Sequence, residues 1–335
     1  MADQATALPT ISVESIETLR DDWLALWEAI PSATPFTHPD WHAGWARQAS
    51  EPRALASGPL LIAVRAEDQL IGVAGLEPGA RVARQAGDPN VTDYAGPLAV
   101  PGQEGAVACG ILEWLVEDLT TGLDLWGVPE DSPMRAAFRV AAERFGWSYD
   151  EEQEAVCPRV ELPGDFGSYV ASLKKHERHE VRRKLRHLEA SGAVRFESTT
   201  GSAAIMARFD RFLELMRLSR ADKDEFLTEQ RVAFFEDLAR TFGDLGIARL
   251  GTLSLDGREA AMVFCFEDEA TTYLYNSGYD PEHAHLAVGL ISKVYAIRDS
   301  IERGKRVFDF LRGDEEYKRH LGGLPRNLLT LRLRG

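Results

Sequence analysis

Between Thr271 and Lys318 the chain gathers the side chains most able to do chemistry, in the order TTYLYNSGYDPEHAHLAVGLISKVYAIRDSIERGKRVFDFLRGDEEYK. Asp309 alternates with Phe308 and Phe310 in an apolar run, and a strand buried on both faces raises a carboxyl pKa into the range of a general base. A buried carboxylate is as often the structural partner of an arginine, here Arg312. Asp314 and Lys318 stand four residues apart and can pair on a helix. Tyr279 and Asp280 close the preceding apolar run and should face the same rim as these groups. Cys265 lies within a strand pattern with no histidine placed to activate it, and reads as core rather than nucleophile.

The elements that must hold these groups follow from periodicity. An apolar and aromatic strand over Thr272 to Ser277 runs into a polar turn and then a long amphipathic helix. After Gly304 comes a second hydrophobic strand, Val307 to Leu311, ending in the polar cluster Arg312 to Lys318. Strand, crossover helix and strand make a parallel unit, with the helix start and the strand ends on one rim. The first helical N–H groups there have no helical partner and carry partial positive charge, so the rim suits a phosphate-bearing cofactor.

The remaining chain repeats this order. Helices are expected from Ser15 to Ile30 and around the Pro39 start signal, where Phe36, His38, Trp41, His42 and Trp45 form either an aromatic core or a ligand groove. A hairpin over Pro59 to Leu76 turns at Glu67-Asp68. Helices near Glu104 to Leu119 and Pro133 to Phe145 flank a strand at Leu123 to Val128. A second hairpin, Ile247 to Phe266, turns at Asp256-Gly257, a strong two-residue hairpin signal. The strand–helix–strand unit follows, with a closing strand from Asn327 to Leu333. This order implies a duplicated mixed α/β domain, with units at 1–163 and 164–335.

Composition narrows the function. A chain of 335 residues is comfortable for two domains, and a net charge of −15 argues against non-specific nucleic-acid or anionic-membrane binding as its main task. Three scattered cysteines, Cys109, Cys157 and Cys265, fit neither a disulfide framework nor a zinc site, so no metal is expected and a reducing cytoplasm is. The start MADQATALPT does not read as a signal peptide, and no apolar run approaches the roughly 20 residues that span a bilayer.

One segment runs against the overall charge. From Lys174 to His187 there are seven Lys or Arg and two Glu, a local +5 that leaves −20 on the remainder. Val181, Leu185 and Leu188 give this helix a narrow apolar stripe, and Gly192 is a natural stop. Its cationic face, Arg183 included, either is solvated or clamps a phosphate-bearing substrate. Further on, the charged loop Arg220 to Glu225 between two amphipathic helices can be a lid over a pocket, although such loops are more often merely solvated.

These segments together resemble the GNAT N-acetyltransferase superfamily in its tandem form, specifically the CelD/BcsL-like proteins related to the FemAB peptidyltransferases. The resemblance rests on RRKLRHLEASG, FLELMRLSRADKDEF, TTYLYNSGYDP, AVGLISKVYAIRDSIERG and FDFLRGDEEYK, covering residues 150 to 335 well and the first half more loosely. It implies two GNAT-like α/β domains of the acyl-CoA N-acyltransferase fold, with acetyl-CoA bound by the second. GNAT proteins usually carry Arg/Gln-x-x-Gly-x-Gly/Ala before the central helix, whereas this chain has Ala284-His285-Leu286-Ala287-Val288-Gly289. The main-chain N–H groups from Leu286 to Leu290 can still cradle phosphate, with Ser277, Gly278 and His285 beside them, and His283 as a further supplement.

The resemblance also implies the reaction and its parts. Acyl transfer from a thioester to an amine requires a base for an ammonium of pKa about 10, a donor for the oxyanion, and an acid for a thiolate of pKa about 8.5. GNAT enzymes commonly place a tyrosine where Tyr317 stands, so Tyr317 is the expected acid and Asp309 the expected base. Asn276 and Gly278 can interrupt regular strand pairing and free a main-chain N–H for the oxyanion. Tyr279, Arg312, Asp314, Lys318 and Arg183 are the expected contacts to a small acceptor, such as an amino sugar or nucleotide sugar. A homodimer is compatible with the sequence. Two rivals remain: an aminoacyl-tRNA-dependent transferase of FemAB type, favoured by the basic helix and opposed by the net charge, and a non-catalytic scaffold in polysaccharide assembly.

Overall fold

A computed structural model describes residues 9–48 and 59–335. Two units divide the chain: residues 1–155 with 327–335, and residues 156–326. The first unit comprises β1 (Thr10–Glu14), α1 (Ile16–Ala29), α2 (Pro39–Gln48), β2 (Leu60–Ala66), β3 (Gln69–Glu77), β4 (Val82–Gln85), β5 (Leu98–Ala99), α3 (Glu104–Glu117), β6 (Gly122–Pro129), α4 (Pro133–Phe145) and β7 (Ser148–Val156). The second unit runs through β8 (Arg159–Glu161), α5 (Phe166–Ser172), α6 (Lys175–Ser191), β9 (Val194–Thr199), α7 (Ser202–Ser219), α8 (Ala221–Phe226), α9 (Glu229–Asp244) and the hairpin β10 (Ala248–Leu255) and β11 (Arg258–Glu267). It ends with β12 (Thr271–Tyr279), α10 (Val288–Glu302), β13 (Val307–Asp309) and α11 (Glu316–His320), after which β14 (Asn327–Arg334) returns to the first unit.

The unit boundary departs from 163/164. β14 joins the first sheet, in the order β1-β2-β3-β4-β6-β14-β7 with β5 on β3, and β8 joins the second, in the order β8-β13-β12-β11-β10-β9. Residues 159–161, which lie before 164, pair antiparallel with β13 and form an edge strand of the second unit. The closing strand pairs antiparallel with β6 instead of completing the second sheet. Alternation along NLLTLRLR dictates a strand but says nothing about which edge will accept it.

Local sequence explains the elements themselves. Ser15 caps α1, its hydroxyl accepting from Thr18 N, and Leu19, Trp23 and Leu26 bury one helical face. The aromatic group after it is core: Trp41 and Phe36 are buried, and Trp41 Nε1 donates to Thr92 Oγ1 at 3.0 Å. His38 is likewise buried, and burial holds its pKa down to about 4, so it sits there as a neutral imidazole. The β10–β11 turn places Asp256 and Gly257 at φ +50° and +78°, the pair of positive angles a tight two-residue hairpin requires.

In the second unit helices cover both sheet faces. On one face α10 buries Val288, Ile291, Val294, Ile297 and Ile301 with Leu253, Val263 and Phe308. On the other, Phe209 and Phe212 of α7 meet Phe264 edge-on or tilted, and Phe242 of α9 meets Phe266. Gly278 permits the close crossing of α7 over β12: a methyl group there would lie 2.3 Å from Met216 N. No helix among the described residues is long and apolar enough to cross a membrane.

Candidate active site

The candidate site of the second unit is framed by the parallel pair β12 and β13. They share three register pairs, Thr271 with Val307, Thr272 with Phe308 and Tyr273 with Asp309, and then part. At the parting point β12 carries a bulge: Phe264 of β11 faces Asn276 and Cys265 faces Leu274, leaving Tyr275 as the extra residue. Bulges re-aim the strand that carries them. Beyond the bulge, Ser277 and Tyr279 line a cavity of about 320 Å³, at the small end of the ~300–1,000 Å³ typical of ligand pockets. Its other walls are Ala284, Ala287, Gly289, Leu290 and Lys293 around the start of α10, Glu315 and Tyr317 after β13, and Ser219, Arg220 and Lys223 from the end of α7 and from α8.

Helix α10 begins at Ala287, which sits at φ +55° and offers no side-chain cap. Gly289 is required by its neighbour, since a methyl group at this position would lie 2.8 Å from the Tyr279 ring. A bare helix start opening on a cavity is the arrangement that suits a phosphate-bearing ligand.

Among the expected phosphate-site residues, Ser277, Ala287, Gly289 and Leu290 come together around the cavity. Leu286 and Val288 are buried in the core instead, and Gly278 serves the α7 crossing. His285 is exposed beside the Glu282 carbonyl at 3.2 Å. His283 faces Asp280 at 3.7 Å, in a separate open groove of about 730 Å³ whose arginines are largely occupied by nearby acids, Arg208 with Glu197 at 3.2 Å and Arg211 with Glu214 at 2.7 Å.

The expected catalytic set divides in the same way. Tyr317 and Tyr279 line the cavity; Asp309 and Asn276 do not. Asp309 is 2% exposed and its carboxylate accepts from Leu311 N at 2.8 Å, holding the turn after β13 in which Leu311 takes φ +57°. The Ser277 carbonyl points to the open edge of β12, where Lys223 Nζ donates to it. By strand alternation the main-chain groups of Asn276 and Gly278 therefore face β11, and the N–H turned towards the opening belongs to Ser277.

The expected acceptor contacts are mostly engaged elsewhere. Lys318 is 1% exposed, and its ammonium donates to the carbonyls of Leu311, Arg312 and Gly313 at 3.0, 2.8 and 3.2 Å while pairing with Glu315 at 2.9 Å. This lysine clasps the loop after β13 and has no donor to spare. Asp314 pairs with Arg319 at 3.3 Å rather than with Lys318, because it precedes α11. Arg183 is exposed on α6 and bound to Glu180 at 2.8 Å. Arg312 does not line the cavity.

Two lysines that no motif announced do line it. Lys293 is 7% exposed, and its Nζ donates to Gly289 O at 2.7 Å and lies 5.2 Å from the Tyr317 ring centre. Burial, with Lys223 nearby, holds its pKa down at about 7. Burial and the adjacent Arg220 hold Lys223 down at about 8. Burial alone would raise the Glu315 pKa, but the Lys318 ammonium outweighs it and keeps the carboxyl below its usual range. Burial pushes the Tyr317 phenol up, so it keeps its proton at neutral pH. Among the described residues no group of three or more His, Cys, Asp or Glu is arranged to hold a metal ion.

A mixed sheet whose parallel pair splits beside a bulge and a bare helix start defines the acyl-CoA N-acyltransferase class of fold. Residues 175–319 match the family model described as an acetyltransferase (GNAT) domain, and the fold is that of tandem GNAT-like domains. FemX is similar in structure over 96% of both chains, with 12% identity and a TM-score of 0.67. A conserved protein of unknown function from Bacteroides thetaiotaomicron is similar over 97% of this chain and 100% of its own, with 14% identity and a TM-score of 0.63. A tandem GNAT protein from the clavulanic acid biosynthesis pathway is similar over 98% and 99%, with 16% identity and a TM-score of 0.52. No curated protein matches the sequence.

Proposed function

We propose that the second unit is an N-acyltransferase that passes an acyl group, acetyl in the simplest case, from coenzyme A to the amine of a small anionic acceptor such as an amino sugar or nucleotide sugar. The observation that carries this reading is the cavity between the parted strands β12 and β13, opening at the uncapped start of α10. Coenzyme A would supply the acyl thioester, with the main-chain N–H groups of Val288 and Gly289 holding its phosphates. The cavity volume suits the acyl end and part of the arm, with the nucleotide outside.

The side chains divide the remaining work. Glu315 is the one carboxylate among the lining residues, ionised at neutral pH, and it meets the acceptor ammonium and takes its proton. The freed amine attacks the thioester carbonyl, and the Ser277 N–H faces the oxygen that gains charge. As the C–S bond breaks, Tyr317 Oη gives its proton to the departing sulfur and takes up the proton that the new amide nitrogen sheds.

Thermal unfolding with acetyl-CoA tests the donor. At a hundred times its dissociation constant a specific ligand adds roughly 2.7 kcal/mol of stability. A shift of that size with acetyl-CoA, together with acyl transfer to an amine, supports the reading; no shift with acetyl-CoA or longer acyl-CoA rejects it. The exposed cations Lys175, Arg182 and Arg186 on α6, with Lys174 just before it, favour a second reading, in which the donor is an aminoacyl ester of transfer RNA. A shift with charged transfer RNA that persists in moderate salt, and is absent with acyl-CoA, would select it.

A further inference from the structure

Two ammonium groups enter the cavity with main-chain carbonyls and, for Lys293, the face of the Tyr317 ring as partners, and no carboxylate. Lys293 Nζ donates to Gly289 O and Lys223 Nζ to Ser277 O, and among the described residues neither has a carboxylate within 4.0 Å. The nearest acid of the lining, Glu315, already pairs with Lys318 at 2.9 Å. Arg220, the third cation of the lining, is held by both oxygens of Asp222 at 2.9 and 2.7 Å. Each ammonium has three N–H donors, of which one is engaged, so two on each lysine remain for a ligand. Burying a cation without a counter-ion is costly, and it is most readily relieved by an anion brought in from outside.

We propose that Lys223 and Lys293 form an oxyanion subsite, their ammonium groups together holding a carboxylate or phosphate carried by one of the two substrates. Lys223 releases the Ser277 carbonyl as it turns to the ligand, which frees the open edge of β12 at the same moment. The subsite rests on the reading that this cavity is where substrates bind, and it adds the chemical class of one of their groups.

The charges facing the pair agree with such a role. Lys293 is faced by Lys223, Glu315, Lys318 and Cys265, and Lys223 by Arg220, Asp222 and Glu315. Their pKa values of about 7 and 8 leave both lysines partly neutral near pH 8, and an arriving oxyanion draws the missing protons back. Anion binding is therefore coupled to proton uptake at this site.

Isothermal calorimetry on the full chain at pH 8, in two buffers of different ionisation enthalpy, tests the subsite with inorganic pyrophosphate and with malonate. The expected result is saturable binding of at least one probe with proton uptake, weakened tenfold or more in Lys293→Met and in Lys223→Met. Lys175→Met, on the exposed face of α6, should leave it unchanged. Tighter pyrophosphate assigns the group to a phosphate, and tighter malonate to a carboxylate. No saturable binding of either probe, or binding that survives both cavity substitutions, overturns the proposal. Thermal melts of both variants confirm that they fold. No acyl donor is present, so failure of the transferase reading would be seen separately, in the acetyl-CoA experiment.

Discussion

Replacing Lys293 with methionine should stabilise this protein, and by an amount that depends on pH. The folded-state pKa of Lys293 is about 7 against a reference of 10.5, and each unit of displacement corresponds to ~1.36 kcal/mol. The unfolded chain keeps the proton up to pH 10.5, the folded chain only up to about 7. Between these values the unfolded state binds more protons, so stability rises with pH. Below pH 7 the full penalty of about 5 kcal/mol applies; it fades as pH climbs towards 10.5. Methionine has similar reach without the charge, and it forgoes the bond to Gly289 O, a loss of about 1 kcal/mol. Lys293→Met should therefore exceed the wild type by ~3–5 kcal/mol at pH 6.5, with the gap nearly closed at pH 9.5. Urea unfolding of both proteins at the two pH values reads this directly, and Lys223, present in both, largely cancels. A gap of equal size at both pH values, or a less stable variant at pH 6.5, would refute the reasoning.

Tyr317→Phe should lower the acyl-transfer rate by ~10²–10⁴-fold with donor affinity within about threefold; an unchanged rate removes Tyr317 as the acid. Gly278→Ala should cost at least ~1–3 kcal/mol in urea unfolding, because the added methyl meets main-chain atoms of α7 that cannot move aside independently. Glu267→Gln should cost ~3–5 kcal/mol. The Glu267 side chain is 6% exposed and receives Arg303 Nη2 at 2.6 Å and Arg249 Nε at 3.2 Å, so the substitution leaves two arginines short of a charge. An equal midpoint for that variant would mean the cluster contributes little.

Much of the second unit was legible because its signals are local. Alternation and the Asp256-Gly257 turn announced the β10–β11 hairpin, and helical periodicity between two apolar runs announced β12, α10 and β13. The site was legible only where position along the chain decides it: Ser277, Tyr279, Gly289 and Tyr317 reach the cavity because strand ends and a helix start must lie on one rim. Lys318 and Asp309 carried equally promising side chains, yet their hydrogen bonds go to a turn whose Leu311 adopts a left-handed conformation, and nothing in FDFLRGDEEYK signals that. Lys293 left a signal that was passed over. It stands at a helical interval from Leu286, Leu290 and Ile297, a charge set within an apolar stripe. Lys223 was visible only as part of a charged loop, in which a solvated role and a lid role look alike from sequence.

The two units handle the same architectural opening in different ways. In the first, β4 and β6 run parallel for three register pairs, from Val82 with Gly122 to Arg84 with Asp124, and then part as β12 and β13 do. There the indole of Trp126 donates to Gln85 O at 2.9 Å, bridging the wedge with an aromatic side chain. A ligand entering that wedge must expel a part-buried ring and break its hydrogen bond, with no charge gained in return. In the second unit the bridge to Ser277 O is an ammonium group, which gives up one carbonyl and gains an anion. Each unit has one such opening; an apolar bridge resists exchange with a ligand, whereas a cationic one favours it. For that reason ligand chemistry is expected at Lys223 and Lys293 rather than at Trp126.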